Sequence, residues 1–407
     1  AEVAAAAEAV AAAKRPLLIV GGGVTLSDTA KTVREILDLT GIPSVTTLMG
    51  IGCVPAAREN FLGMAGMHGT YAANMAIQEC DLLIAVGMRF DDRVTSRVAG
   101  FAPRAKIVHF EVDPVEVNKN VVADCRVLGD LRWSLPLLKE KLAALGDLRA
   151  RFSGWSRYTV EMNNEQPLSY KKKEGCIMPQ QLIEMVSELA ADDAIIVTDV
   201  GQHQMWAAQY YDAKEPRRFL TSGGLGTMGY GLPAAIGAAV ASGESVVCLE
   251  GDGSIMMNLQ ELQTVVTNRV PVKLFVINNN GYHQIRQTQR NVFGNALVGV
   301  GPESGDLGFP SFEKIAQAFE MPYIKISSNA ELHEKIAQAL REPGYVLTEV
   351  FVTEEQKFEP KSATKRLPDG RLTSPPLEDL APFLPREELA RNMYIPLIEP
   401  EGGEVKA

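Results

Sequence analysis

The sequence predicts an α/β protein with two doubly wound parallel-sheet domains. Three observations carry that expectation. Short apolar runs such as Leu17-Leu18-Ile19-Val20 and Leu82-Leu83-Ile84-Ala85-Val86 alternate with helix-like segments, and strands covered on both faces read as unbroken apolar runs. The runs end at Gly21, Gly87, Asp113, Gly201 and Gly251, and ligands of such sheets sit beyond the carboxyl ends of the strands. The alternation also occurs twice, with a stretch of different character in between.

The first block covers residues 1–145. Residues 2–14 are alanine-rich and read as a surface helix leading into Pro16. Strands are expected at 17–20, 43–47, 82–86 and 106–112, with helices from Ser27 to Leu39 and from Tyr71 to Glu79. Residues 146–178 carry Trp155, Asn163, Asn164, Pro167 and three lysines without strong periodicity, which reads as an interdomain linker. The second block covers 179–355. Pro179 opens a helix, 194–198, 245–250 and 272–277 are strands, Gly223-Gly224-Leu225-Gly226 opens a helix at 232–241, and 345–350 is expected to be the last strand. Residues 356–407 read as an extended arm ending in a mobile tail at 401–407.

The bulk composition narrows the function classes. With 407 residues, 46% hydrophobic and 22% charged, the chain has the profile of a globular enzyme of two or three domains. Its net charge of -10 argues against nucleic acid, whose backbone calls for a basic face. The five cysteines are odd in number and scattered, so reduced thiols are expected rather than a disulfide framework or a zinc site. No run reaches the length of a membrane helix, and the N-terminus lacks the marks of a signal peptide. A cytoplasmic location follows, with a plastid left open.

The strongest motif is Gly251-Asp252-Gly253-Ser254 read with Asn278-Asn279. Asp252 and Asn279 stand 27 positions apart, separated by a helix-like segment at 255–267 and the strand 272–277. Two loops at the ends of neighbouring parallel strands therefore aim a carboxylate and an amide oxygen at one point. Hard oxygen ligands suit Mg2+ held against a diphosphate. A lone Gly-Asp-Gly is usually only a turn; the pairing is what gives it weight. Gly201 and Gly226 sit at expected strand-to-helix turns whose N–H groups point outward, and Gln202 and His203 follow the first of them. A lone histidine is more often a satisfied surface group, but its place after Gly201 favours a ligand role. Met228 follows Gly226 by two. Most methionines fill cores, yet in so glycine-rich a loop this one is suited to propping a ring system.

The first block holds weaker signals. Gly21-Gly22-Gly23 alone says little. The run from Gly63 to Thr70 has small residues that let backbone approach a flat ligand. Arg89-Phe90-Asp91-Asp92-Arg93 directly follows a strand. It reads either as a solvated charge run or as a site for a dinucleotide diphosphate, with Glu111 or Asp113 placed for ribose hydroxyls.

These residues resemble the acetohydroxyacid synthase (acetolactate synthase) large catalytic subunit family, which depends on thiamine diphosphate. The matching stretches are Thr47-Leu48-Met49-Gly50, Gly66-Met67-His68-Gly69-Thr70, Arg89 to Thr95, Gly201 to Trp206, Ser222 to Ala235, Gly251 to Thr264 and Pro375 to Phe383. The resemblance implies that 1–145 is the central FAD-binding domain and 179–355 the thiamine-diphosphate-binding domain. The family's first domain, which binds the aminopyrimidine and carries the activating glutamate, has no counterpart here. The chain is then either a fragment or paired with that domain on another chain, and no catalytic acid is identified in it.

By the same resemblance Asp252, Asn279 and the Gly281 carbonyl are the Mg2+ ligands. Gly201, Gln202, His203, Gly226, Gly251, Gly253, Ser254 and Ile285 contact thiamine diphosphate, and Met228 shapes it. Gly22, Thr47, Leu48, Met67, His68, Gly87, Arg89, Asp91, Arg93, Val94, Glu111, Val112 and Asp130 contact FAD. The sequence departs from the family in the loop Gln284-Ile285-Arg286-Gln287-Thr288. Thr288 stands where the family has a tryptophan, and Gln284 replaces an apolar residue, which implies a wider, more polar substrate pocket. The implied activity is decarboxylation of pyruvate and transfer of the two-carbon unit to a second 2-keto acid, the acetolactate-forming step of branched-chain amino-acid biosynthesis. A homo-oligomer (dimer or tetramer) and a regulatory subunit are the implied partners. Two other readings stay open: a relative acting on another ketone such as a keto sugar, and a cofactor-binding module without catalysis.

Overall fold

The computed structural model describes residues 1–357, 359–361, 365–366 and 372–393. The chain forms two compact units, one of residues 1–168 with the described residues from Glu359 on, the other of Ser169–Phe358. Each contains a six-stranded parallel sheet covered by helices, so both predicted doubly wound domains are present.

In the first unit the strands are β1 (Pro16–Val20), β2 (Ser44–Thr46), β3 (Phe61–Met64), β4 (Leu82–Val86), β5 (Lys106–Glu111) and β6 (Cys125–Leu128). They lie in the order β3-β2-β1-β4-β5-β6. Successive side chains of a strand face opposite sides. Leu18, Val20, Ile84 and Val86 enter one core, while Leu17, Ile19, Leu83 and Ala85 enter another on the opposite face. The chain winds outward from β1 in one direction and then returns to start β4 on its other side. The order therefore reverses between β1 and β4, and a ligand crevice is expected at their carboxyl ends.

In the second unit the strands are β7 (Ile195–Thr198), β8 (Phe219–Thr221), β9 (Val246–Gly251), β10 (Val272–Asn278), β11 (Tyr323–Ile326) and β12 (Val346–Phe351), ordered β11-β12-β10-β9-β7-β8. Here the reversal falls between β7 and β9. The register pairs Ile277 with Gly251, which puts the ends of β9 and β10 side by side.

The sequence reading needs four corrections. Residues 148–165 are not linker: Leu148–Glu165 is an 18-residue helix capped by Asp147, whose side chain accepts from the Ala150 N–H. Its buried positions Leu148, Phe152, Trp155 and Thr159 recur at the spacing of one helix face. The arm is not simply extended. Leu377 is buried in the first unit's core, Gln78 Nε2 donates to Glu378 Oε2 at 2.6 Å, and Arg386–Asn392 is helical; the expected tail at 401–407 lies outside the described residues. The expected helix 27–39 is a short turn at Gly22–Leu26 followed by Ala30–Thr40. Finally, the four edge strands β3, β6, β8 and β11 were not foreseen. Only one residue of β6 is buried, and β3, β8 and β11 alternate buried with more exposed positions, so no edge strand gives a continuous buried run. Among the described residues no helix is long and apolar enough to cross a membrane.

Candidate cofactor sites

The cleft of the second unit opens at the reversal point. Gly201, Gln202, His203, Met228, Gly251, Asp252, Gly253, Ser254, Asn279, Gly281, Gln284 and Ile285 all line it. The two loops predicted to converge do so. Gly281 N–H donates to Asp252 Oδ2 at 2.9 Å, and the Asp252 and Asn279 side chains are both buried. Burial pushes the Asp252 carboxyl up to about 7, against backbone N–H groups of Gly281, Gly253 and Asn280 that favour its ionised form. A divalent cation in place of that proton would balance the buried charge. The Gly281 carbonyl accepts from His283 N–H at 3.0 Å, and a carbonyl's second lone pair stays available. An acid, an amide and a carbonyl form a hard oxygen set that fits Mg2+. Among the described residues no group of three His, Cys, Asp or Glu side chains could hold a metal.

The other wall of the cleft fits an anion. His203 is buried, and burial lowers its basicity to about 4, so the ring is neutral. Its Nε2 and the Gln202 Oε1 have no protein partner, although Gln202 Nε2 donates to Gln287 at 3.2 Å. A phosphate oxygen beside the ring would favour the imidazolium, which donates from both nitrogens.

Two predicted residues are not brought to this cleft. Gly226 is exposed and precedes the helix Gly231–Ser242 by five residues, so it does not sit at a helix N-terminus. Thr288 is exposed on the helix His283–Val292, with its hydroxyl turned back to the Gln284 carbonyl at 3.2 Å. Gln284, by contrast, lines the cleft.

Sequence reasoning missed the support beneath it. Asp199, at the end of β7, and Glu250, in β9, are both fully buried. Burial and the neighbouring Asp199 raise Glu250 well above the ordinary carboxyl range, which favours its protonated form. Asp199 Oδ2 also accepts from Gly229 N–H at 2.7 Å, and Ser254 Oγ donates to Glu250 Oε2 at 3.3 Å. The pair thereby ties the turn after Met228 to the loop that carries Asp252. A glutamate inside the run Val246-Val247-Cys248-Leu249-Glu250 was the available signal. Tyr282 also escaped notice; its hydroxyl donates to the Gly253 carbonyl at 3.1 Å.

In the first unit most of the predicted FAD residues lie beyond the carboxyl ends of β1 to β5. Gly21 N–H donates to the Val86 carbonyl at 2.9 Å and Gly23 N–H to Gly87 at 2.9 Å. A Cβ on Gly21 would stand 2.2 Å from the Gly87 oxygen, so only glycine permits this approach. Thr47 and Leu48 follow β2. Arg89 pairs with Asp91, whose other oxygen caps Arg93 N–H at 3.0 Å. Arg93 reaches the Met67 sulfur at 3.7 Å, and Val94 is buried behind it. Gly22 is half-exposed and Val112 exposed. His68 is buried, held neutral by burial at about 3, and bonds the Pro360 backbone. The Glu111 carboxylate turns onto its own loop, accepting from Val112 and Asp113 N–H at 2.8 and 3.1 Å. Asp130 caps the helix Leu131–Ala143 and is gripped by Arg132 at 2.6 Å, at the edge strand rather than at the reversal point. His109 was missed. It is fully buried, and its Nε2 lies 2.7 Å from the Met88 carbonyl, beneath the loop that carries Arg89.

Residues 199–350 match the thiamine pyrophosphate enzyme C-terminal TPP binding domain, and residues 3–138 match the thiamine pyrophosphate enzyme central domain. The chain belongs to the thiamine pyrophosphate enzymes, and the cleft lies in the part that corresponds to their TPP binding domain. Within that family it is similar to acetolactate synthase large subunits. Chloroplastic acetolactate synthase 1 of Nicotiana tabacum is 42% identical over 352 residues, 85% of this chain and 52% of the relative. The large subunit of Parasynechococcus marenigrum is 43% identical over 355 residues, 86% and 56% of the two chains, and that of Porphyra purpurea 40% over 363, 88% and 60%. The chain thus spans little more than half the length of the relatives it matches.

Proposed function

We propose that this chain is the central and diphosphate-binding part of a carboligase that decarboxylates pyruvate and passes the two-carbon unit to a second 2-keto acid, forming acetolactate or acetohydroxybutyrate. The observation that supports it most is the convergence of Asp252, Asn279 and Gly281 on one cleft of the TPP binding domain. Thiamine diphosphate supplies the carbon acid whose ring takes up the electrons left when CO2 departs. The chain's residues would bind and orient. Asp252, Asn279 and the Gly281 carbonyl would hold Mg2+ against the diphosphate. Gln202, His203, Gly253 and Ser254 would take phosphate oxygens, and Met228 and Ile285 would flank the rings. Gly251 keeps the strand end close to His203: a Cβ there would stand 3.0 Å from the imidazole.

In the first unit, Gly22, Thr47, Leu48, Met67, His68, Gly87, Arg89, Asp91, Arg93, Val94, Glu111, Val112 and Asp130 are the proposed surroundings of FAD, with Arg89 and Arg93 on its diphosphate. Mixing the chain with FAD is expected to quench flavin fluorescence. Gly21→Ala, which must part β1 from Gly87, is expected to weaken that binding by roughly tenfold, equivalent to about 1.4 kcal/mol; equal binding would remove FAD from this crevice.

Supplied with an aminopyrimidine-binding domain, thiamine diphosphate and Mg2+, the protein is expected to consume pyruvate and release CO2. No consumption would refute the reading in favour of a cofactor-binding module without catalysis. A homo-oligomer, a regulatory subunit, and a cytoplasmic or plastid setting belong to the same proposal. A keto-sugar acceptor now rests on Gln284 at the cleft wall, because Thr288 faces away from it. A strong preference for 2-ketobutyrate over larger ketones would exclude that reading.

A further inference from the structure

The loop that carries Asn279 and Gly281 is braced from below by a buried arginine. Arg286 is 2% exposed, a placement that charged side chains take only when paired. Its Nη2 donates to the Asn280 carbonyl at 3.0 Å. Its Nη1 lies 2.7 Å from His283 Nε2; a guanidinium only donates, so that nitrogen accepts and the ring proton sits on Nδ1. The His283 ring in turn bonds the Asn279 backbone. One guanidinium therefore fixes two consecutive carbonyls of the loop, one directly and one through His283.

Two further features show that the position is built. Asn280 adopts a left-handed conformation with φ of 60°, held at its N–H by the Asn278 Oδ1 at 3.0 Å and at its carbonyl by Arg286. Gly281 and Gly301 form the passage for the guanidinium. A Cβ on either would lie 2.7 or 3.0 Å from Nη2, and their φ values of 149° and 146° disfavour other residues. The charge is balanced at Nε by Glu303 at 3.3 Å and at Nη1 by Glu354 at 3.8 Å. Asn280 would thus keep its turn, and its neighbours would keep the Asn279 side chain and the Gly281 carbonyl aimed together.

We infer that Arg286 is a positioning residue for the divalent-cation site: it sets the Asn279–Gly281 loop in ligating geometry from the helix whose first turn presents Gln284 and Ile285 to the cleft. This rests on the proposed metal role of that loop. It also assigns work to Arg286 that neither its sequence neighbourhood nor the cleft lining indicates, since Arg286 does not line the cleft.

The test is Mn2+ binding to the full chain in the presence of thiamine diphosphate, followed by electron paramagnetic resonance, with thermal unfolding measured in parallel. Arg286→Met is expected to weaken Mn2+ binding about 10- to 100-fold, the usual loss when a partner behind a metal ligand is removed. Arg286→Lys should recover only part of it, because one ammonium does not reproduce the two-pronged grip. A bracing role in the fold alone would lower the unfolding temperature and leave the Mn2+ affinity of the folded protein unchanged, and that result overturns the inference. If the unaltered chain binds no Mn2+ with thiamine diphosphate, the functional reading falls and takes the inference with it; if the unaltered chain binds and Arg286→Met binds equally, the inference alone falls. Should Arg286→Met fail to fold, His283→Ala removes the relay to Asn279 and is expected to cost several-fold in Mn2+ affinity, with unchanged affinity again the overturning result.

Discussion

Asp252→Asn is expected to abolish metal-dependent cofactor binding while making the metal-free protein more stable at alkaline pH. Titration calorimetry with thiamine diphosphate and Mg2+ should show affinity falling by more than about 100-fold, beyond the 10- to 100-fold that follows loss of an outer partner. The stability half of the prediction follows from burial. In the folded chain Asp252 releases its proton only at about 7, against near 4 for a carboxylic acid in water. A raised acid contributes stability while protonated. That contribution is fully present below about pH 4, is lost as pH rises through 7, and stays lost above it. At about 1.4 kcal/mol per pH unit, the ionised carboxylate costs the metal-free fold on the order of 4 kcal/mol.

The amide cannot ionise and escapes that cost. It has one acceptor oxygen instead of two, however, for the N–H groups that converge on it, and leaving one of them unmatched costs about 1–3 kcal/mol. Urea unfolding without metal should therefore find Asp252→Asn less stable than the parent at pH 4 and about 1–3 kcal/mol more stable at pH 8. The histidines that burial keeps neutral, His203 and His283 at about 4 and His68 at about 3, lose stability as pH falls below their ordinary value. They are common to both proteins and cancel in the difference. A variant that binds the cofactor as tightly as the parent would take the carboxylate out of the metal site.

What the sequence showed, and what it hid, follows from where each signal is stored. Asp252 and Asn279 were readable because both follow largely apolar strands, and parallel neighbours place their ends together whatever the intervening helix does. The helix forecast at 255–267 is in fact two 3₁₀ turns, Ser254–Met257 and Leu259–Glu261, before Leu262–Asn268, and the convergence survives. Thr288 shows the opposite case. Its number in the loop suggested a pocket wall, but in a helix beginning at His283 the cleft receives Gln284 and Ile285 while Thr288 stands exposed. Facing is set by helical phase, and the start of that helix carries no capping side chain that would have marked it. Arg286 and the Asp199–Glu250 pair were hidden for another reason: a buried charge is legible only through its partners, and these lie on other strands and loops.

The 148–165 segment gives the sharpest test of the fold itself. Trp155 is 7% exposed, and its indole Nε1 donates to the Pro16 carbonyl at 2.9 Å, so the helix is pinned to the start of β1. Its face is sparse, which is why a periodicity reading passed over it: Leu148, Phe152 and Trp155 are the apolar side chains buried among 18 residues. The docking energy then resides in three side chains, of which Trp155 is the largest. Trp155→Ala is expected to destabilise the first unit by about 3–5 kcal/mol, the range for emptying an aromatic site in a core. With a urea slope of about 2–3 kcal/mol/M, the midpoint should fall by roughly 1.5 M. Trp133→Ala is the matched control: that side chain is 76% exposed, and its loss should stay within about 0.5 kcal/mol. Far-UV circular dichroism in urea compares the two. If the Trp155 and Trp133 variants unfold at the same midpoint, the helix carries no docking energy and the segment behaves as the linker its composition suggested. If only the Trp155 variant shifts, an amphipathic face three residues wide suffices to build this stretch into the first domain.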